Sequence, residues 1–322
     1  PRLGILIGHL MGALTYDVLY IWALARGGGG AFISPARDSP HTHIADGKIQ
    51  KAGMIATICQ VGAQMFGFGL AAIEPFICIA VIFLSQVALL WTGALLALRL
   101  PTHEPEGTTA PSLAAIIDGF REVARDPRLL TPTAMVFGIG VLFFGTAQVV
   151  LPFIVRDVFE AGDNLARDIA IVNIFMMCGI VFTAMLIGRI GGIERQGRAL
   201  VLALGFGAFV MASFGFVPSF WALSLATFAW GCGGGVAMTM NRTIIQEAAP
   251  ASHRGRILPV FQMGVLGGGP IGALISGFLI ELWGPQNAVL LPAAGMIFML
   301  LLACLFSPIW SLRSPVVSAA AD

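Results

Sequence analysis

Apolar residues recur along this chain in blocks of roughly 20, the length an α-helix needs to cross a bilayer at about 1.5 Å per residue. Short polar punctuation separates the blocks. Their positions predict a short apolar piece at Leu3–Leu14, then spans near Val18–Ser34, Gly53–Ile73, Pro75–Leu98, Leu130–Ile154, Ile169–Ile190, Ala199–Val217, Phe220–Met240, Ile257–Leu282 and Ala288–Phe306. One long polar connection interrupts them at 99–132, where THEPEGTTAPS reads as linker and LAAIIDGFREVARDPRLL as an amphipathic helix. That helix is either a solvated connector or an element docking on the membrane surface or a partner. The pattern predicts an all-α polytopic membrane protein in four parts. These are an incomplete N-terminal helical half at 1–98, the connection at 99–132, a C-terminal six-helix half at 133–307 whose first span starts near 130, and a tail at 308–322.

Composition agrees with the pattern. Hydrophobic residues make up 57% of the 322 positions and charged residues 11%, against about 25% charged in soluble domains. A net charge of +1 points to neither a basic nor an acidic partner, and nothing resembles a nucleic-acid surface. The partner to expect from this composition is the lipid bilayer, with the chain acting as a monomer. The five cysteines fall singly inside apolar blocks, as buried small hydrophobes, without the spacing of a metal or redox site; no cofactor or metal is expected. Lysine and arginine add an orientation. If the 99–132 connection is cytoplasmic, every basic residue except Arg156, Arg167 and the intramembrane Arg26 falls on that side, as does the tail, and basic loops are retained there.

Internal repetition specifies the architecture further. Shifting the chain by 205 residues superposes Gly28, Gly29 and Gly30 on Gly233, Gly234 and Gly235, Arg37 on Arg242, Lys51 on Arg256 and Gly62 on Gly267. Two copies in the same direction, joined by a long cytoplasmic connection, have the symmetry of transporters whose halves are related by an axis along the membrane normal. The second copy starts near Leu130, so the first would start upstream of Pro1. Nine full spans and a remnant are then a truncated set from an expected twelve.

This architecture resembles the major facilitator superfamily. The stretch NRTIIQEAAPASHRGRILPVFQMGVLGGGPIGALISGFLIELWG, Asn241 to Gly284, is similar to its tenth-to-eleventh helix region in the branch containing the enterobactin exporter and macrolide efflux proteins. SPAR at Ser34–Arg37 resembles the Asn-Pro-Ala-Arg after the fourth helix of that branch. The resemblance implies a truncated major facilitator fold and a secondary active transporter working by alternating access, a proton-coupled exporter of a small amphipathic, drug- or siderophore-like molecule. An uptake symporter or lipid transporter of the same fold is the alternative. A membrane-embedded enzyme would need a polar catalytic set at membrane depth, and the sequence offers none; a non-transporting remnant is the other rival.

Candidate residues follow from these patterns. Gly27, Gly28, Gly29 and Gly30, with Gly233, Gly234 and Gly235 in the second copy, cover a helical turn and let neighbouring backbones approach, either as a moving contact or as static packing. Arg26 is a guanidinium within a span, where such groups face a cavity or snorkel; it either lines the translocation path or bonds to neighbouring helices. RIGGIERQGR resembles the family's acidic and basic motif between the eighth and ninth helices. The resemblance implies a cytoplasmic gate of Glu194, Arg195 and Arg198 with Arg242, and with Arg37 in the first copy. Among intramembrane amides, Gln148, Gln262 and Gln60 are the candidates for the substrate and coupling pathway beside Arg26. The fifth-helix exporter signature is degraded, with Phe66-Gly67 at its Gly-Pro position. Asp17 and Glu74, the acids that approach spans, sit near span ends.

Overall fold

The computed structural model describes residues 49–72, 79–97, 121, 123–125, 127–190, 192–248 and 254–312. Among these residues every regular element is helical and no strand occurs. The chain forms two compact units, Pro1–Thr108 and Thr109–Asp322.

The first unit contributes helix α1, Ile49–Ala72, and helix α2, Ile79–Ala97. Both are apolar around much of their circumference, with exposed Phe66, Leu89, Trp91 and Leu96. Such a helix is at home in lipid or in a larger core.

The second unit begins with a long segment assembled from α3 (Pro127–Gly138), a π-helical stretch (Ile139–Gly145), α4 (Thr146–Phe153) and a second π-helical stretch (Ile154–Val158). Prolines at 132 and 152 lie inside its helices. Each lacks the N–H that would meet the carbonyl four residues back, and widened turns accommodate such breaks. A single turn of 3₁₀ helix at Gly162–Asn164 leads into α5, Leu165–Arg189; α6, Gln196–Ser213, and α7, Phe220–Ala248, follow. Then come α8 (Arg254–Ala288), α9 (Leu290–Phe306) and a closing 3₁₀ turn at Pro308–Ser311.

Among the described residues, four segments are long and apolar enough to cross a membrane: Leu129–Val158, Leu165–Arg189, Gln196–Phe216 and Phe220–Ile245. A fifth candidate is the pair Gly267–Ala288 and Leu290–Phe306, bent by 82°. Gly284 interrupts α8 with φ 77°, a left-handed backbone that glycine adopts without steric cost. The two spans expected at Ile257–Leu282 and Ala288–Phe306 correspond to the part of α8 before Gly284 and to α9, with Gly284 in the gap between them. Val61–Leu70 and Leu84–Leu96 are shorter apolar helices. The chain is a multi-pass membrane protein.

The core of the second unit is apolar: Ile154, Leu200, Leu204, Met211, Leu223 and Met296 are essentially sealed from solvent. So is its exterior. Leu202, Phe209, Leu225, Leu274, Leu305 and Phe306 are all more than half exposed, an outward apolar surface far larger than soluble monomers tolerate and suited to acyl chains. This corrects the reading of the cysteines: Cys59 and Cys304 are exposed, and Cys178 and Cys232 are partly buried. In a bilayer an apolar side chain loses nothing by facing outward. Cys78 lies outside the described residues.

Candidate functional site: a glycine-packed bundle and its basic end

Close approach of helix backbones begins with α7, whose run Gly231-Cys232-Gly233-Gly234-Gly235 faces several ways at once. A Cβ added at Gly231 would fall on the Met176 carbonyl of α5, and one at Gly235 would come within 3.0 Å of the Ile180 carbonyl oxygen. Gly179 of α5 answers Gly231, since a Cβ there would meet the backbone of Phe228 and approach the Cys232 nitrogen at 2.9 Å. Gly233 turns the other way, 3.0 Å from the Ala203 carbonyl oxygen of α6, while Gly234 faces open space. Small residues four apart thus seat α7 on α5, and the residue between them seats it on α6. Thr227 reinforces the first contact by donating to the Val172 carbonyl at 3.3 Å.

A second seam joins α8 to the first span of this unit. Gly264, Gly268 and Gly272 recur at four-residue spacing against α3 and the π-helical stretch after it. A Cβ at Gly268 would lie 2.7 Å from the Phe137 carbonyl oxygen, and one at Gly272 would overlap the Val141 carbonyl. From the opposite side, a Cβ added at Gly145 would lie 2.7 Å from the Ala273 nitrogen and the Gly272 Cα. One step along the same ridge, Ser276 donates a 3.0 Å hydrogen bond to the Thr146 hydroxyl, both side chains fully buried. The seam is close packing closed by a single polar contact.

Gln148 lies on α4 and is exposed, two residues beyond Thr146 and therefore on the other side of the helix from the seam. Pro152 removes the α-helical donor for the Gln148 carbonyl, so backbone and side chain are both polar at this depth. Gln60 falls on α1 and Gln262 on α8, with their side chains outside the described set. Arg26, Arg37, Gly27, Gly28, Gly29 and Gly30 lie outside the described residues.

At the end of the bundle where α5 meets α6, Glu194 and Arg195 are exposed in the connecting turn. Arg198, in the first turn of α6, holds its guanidinium 5.5 Å from the centre of the Trp310 ring. The neighbouring Gly197 is buried under the closing 3₁₀ turn: its N–H donates to the Leu312 carbonyl at 3.3 Å, and a Cβ there would overlap the Ile309 carbonyl. Arg242, on the last turns of α7, is exposed. At the other end, Arg156 pairs with Asp157 and lies 4.3 Å from the Phe153 ring centre, and Arg167 pairs with Asp168 at 3.0 Å.

Two polar residues escaped the sequence reading. Asn241 is 2% exposed, and neither atom of its amide has a hydrogen-bond partner. The signal was present, an amide one residue before the basic Arg242. Glu281 belongs to the membrane-crossing stretch Gly267–Ala288 and borders a groove of about 640 Å³ along α8 that also passes Pro270, Leu274 and Phe278. It is an acid within a span, one residue short of the predicted helix end, and no described residue forms an ion pair with it. No cluster of potential metal ligands occurs among the described residues.

Residues 169–319 match the family model described as Major Facilitator Superfamily. Over 178 residues, 52% of this chain, the sequence is 29% identical to the multidrug resistance protein MdtG of Dickeya zeae (strain Ech586). The matched stretch spans 42% of that relative's own length.

Proposed function

We propose that the chain is part of a major facilitator superfamily transporter, a secondary active exporter that moves a small amphipathic molecule by alternating access rather than an enzyme. The observation that carries the reading is the glycine packing of α7 against α5 and α6, since the family match covers these helices and small residues let neighbouring membrane helices approach closely. Likeness to a multidrug resistance protein favours export of a drug-like compound. The localisation that goes with it is the cell inner membrane, with the 99–132 connection and the tail in the cytoplasm.

In this reading Arg26, Gln60, Gln148 and Gln262 line the pathway, and Glu281 adds a carboxylate able to carry a proton. Glu194, Arg195, Arg198, Arg37 and Arg242 form the basic cytoplasmic gate.

Everted membrane vesicles energised to acidify their lumen provide the test. Vesicles carrying the full-length protein should accumulate a lipophilic cationic dye, lose it when the pH gradient is collapsed, and transport more slowly with Arg26→Ala. Dye uptake no greater than in vesicles lacking the protein would overturn export; unchanged pH-dependent flux in Arg26→Ala would remove that residue from the mechanism.

A further inference from the structure

A shallow apolar groove of about 290 Å³ runs between α6 and α9 on the outside of the second unit. Leu202, Gly205 and Phe206 form one wall and Ile297, Leu301 and Cys304 the other. The floor exists because Gly205 has no side chain: a Cβ there would only reach ordinary contact with Leu300, at 3.9 Å.

The groove points at a cation. Arg198, Leu202, Gly205 and Phe206 recur at helical spacing along one face of α6, so the guanidinium stands at one end of the apolar track. Trp310 holds it there at 5.5 Å. The ring is itself 42% exposed, in the position that tryptophans favour at a membrane surface. Arg195, exposed one turn away, adds a second positive charge. Neither arginine forms an ion pair with a described residue. The closing turn fixes the arrangement, because Ile309 is fully buried and Gly197 bonds to Leu312.

An apolar track ending in an aromatic-braced guanidinium complements a molecule with an acyl chain and an anionic head. We propose that this groove binds an anionic phospholipid of the bilayer, its phosphate at Arg198 and Arg195 and its chain along Gly205. The site rests on the membrane-spanning reading and shares Arg198 and Arg195 with the proposed gate, but its readout is lipid retention rather than flux. Its failure would leave the export reading standing.

Native mass spectrometry of the full chain, reloaded with equal amounts of phosphatidylglycerol and phosphatidylcholine of identical acyl chains, tests it. The expected result is one retained phosphatidylglycerol, preferred by at least about fivefold, the factor that each arginine near an anionic headgroup supplies. Arg198→Gln should lower the preference about fivefold and Arg198→Lys should keep it. Gly205→Leu, which fills the floor, should lower retention of both lipids. Equal retention of the two lipids by the unaltered chain, or a preference undiminished in Arg198→Gln, would overturn the proposal. So would retained detergent alone, or a lipid-free dimer, which would assign the groove to a second copy. Should Gly205→Leu not fold, the two Arg198 variants decide the outcome.

Discussion

At the scale of single residues, adjacent glycines in α7 carry different duties. Gly231 lies against the Met176 backbone of α5, whereas Gly234 has nothing within 4 Å. Because a backbone carbonyl cannot rotate away as a side chain can, Gly231→Ala should destabilise the protein by about 1–3 kcal/mol, the usual range for overpacking. Gly234→Ala should stay within about 0.5 kcal/mol of the parent or gain slightly, since alanine has the higher helix propensity. Thermal unfolding of the purified protein in detergent distinguishes the two, and equal losses would refute the assignment of contacts. The run GCGGG announced small surfaces without saying which glycine met which helix. That depends on the angular position of α7 between α5 and α6, which no local pattern encodes. Asn241 escaped notice for a related reason: an amide in an apolar stretch is an ordinary interhelical group until its surroundings are known to lack a partner.

At the scale of elements, the seam between α8 and the first span joins glycine packing to one hydroxyl pair. Ser276 and Thr146 are 130 residues apart in sequence, and neither stood out in the chain as a candidate. Buried hydrogen bonds between membrane helices contribute about 0.6 kcal/mol on average, reaching about 1.7 at most. A double-mutant cycle of Thr146→Val and Ser276→Ala, read by unfolding in detergent, should therefore give a coupling energy in that range. A coupling of zero would mean that glycine contacts alone hold the seam. The basic motif at the start of α6 shows how a sequence pattern can be legible in chemistry and incomplete in geometry. Its arginines lie at the end of the bundle where α5 meets α6. Yet Arg198 braces Trp310, and Gly197 receives the closing turn, contacts that required the fold of the last five described residues.

At the scale of the whole molecule, hydropathy sufficed for the all-helical class and for the positions of most spans: Leu165–Arg189 and Phe220–Ile245 lie within a few residues of the blocks that predict them. The break at Gly284 falls in the polar gap between the expected blocks at Ile257–Leu282 and Ala288–Phe306, whereas the 82° angle between Gly267–Ala288 and Leu290–Phe306 was not legible. Nor were the π-helical stretches visible, since they leave the apolar block unbroken. They nevertheless bear on how the chain tolerates change in length. A widened turn stores one residue beyond what an α-helix of the same rise would hold. Removing a single residue from Ile139–Gly145 can therefore be absorbed by rewinding to α, leaving Thr146 opposite Ser276. The same deletion in α7 would rotate everything beyond it by about 100° and turn the glycine run away from α5. A single-residue deletion scan scored by folded protein in the membrane should show a tolerant window at 139–145 and none at 225–240. The length of that first span, unlike the others, is then free to vary by one.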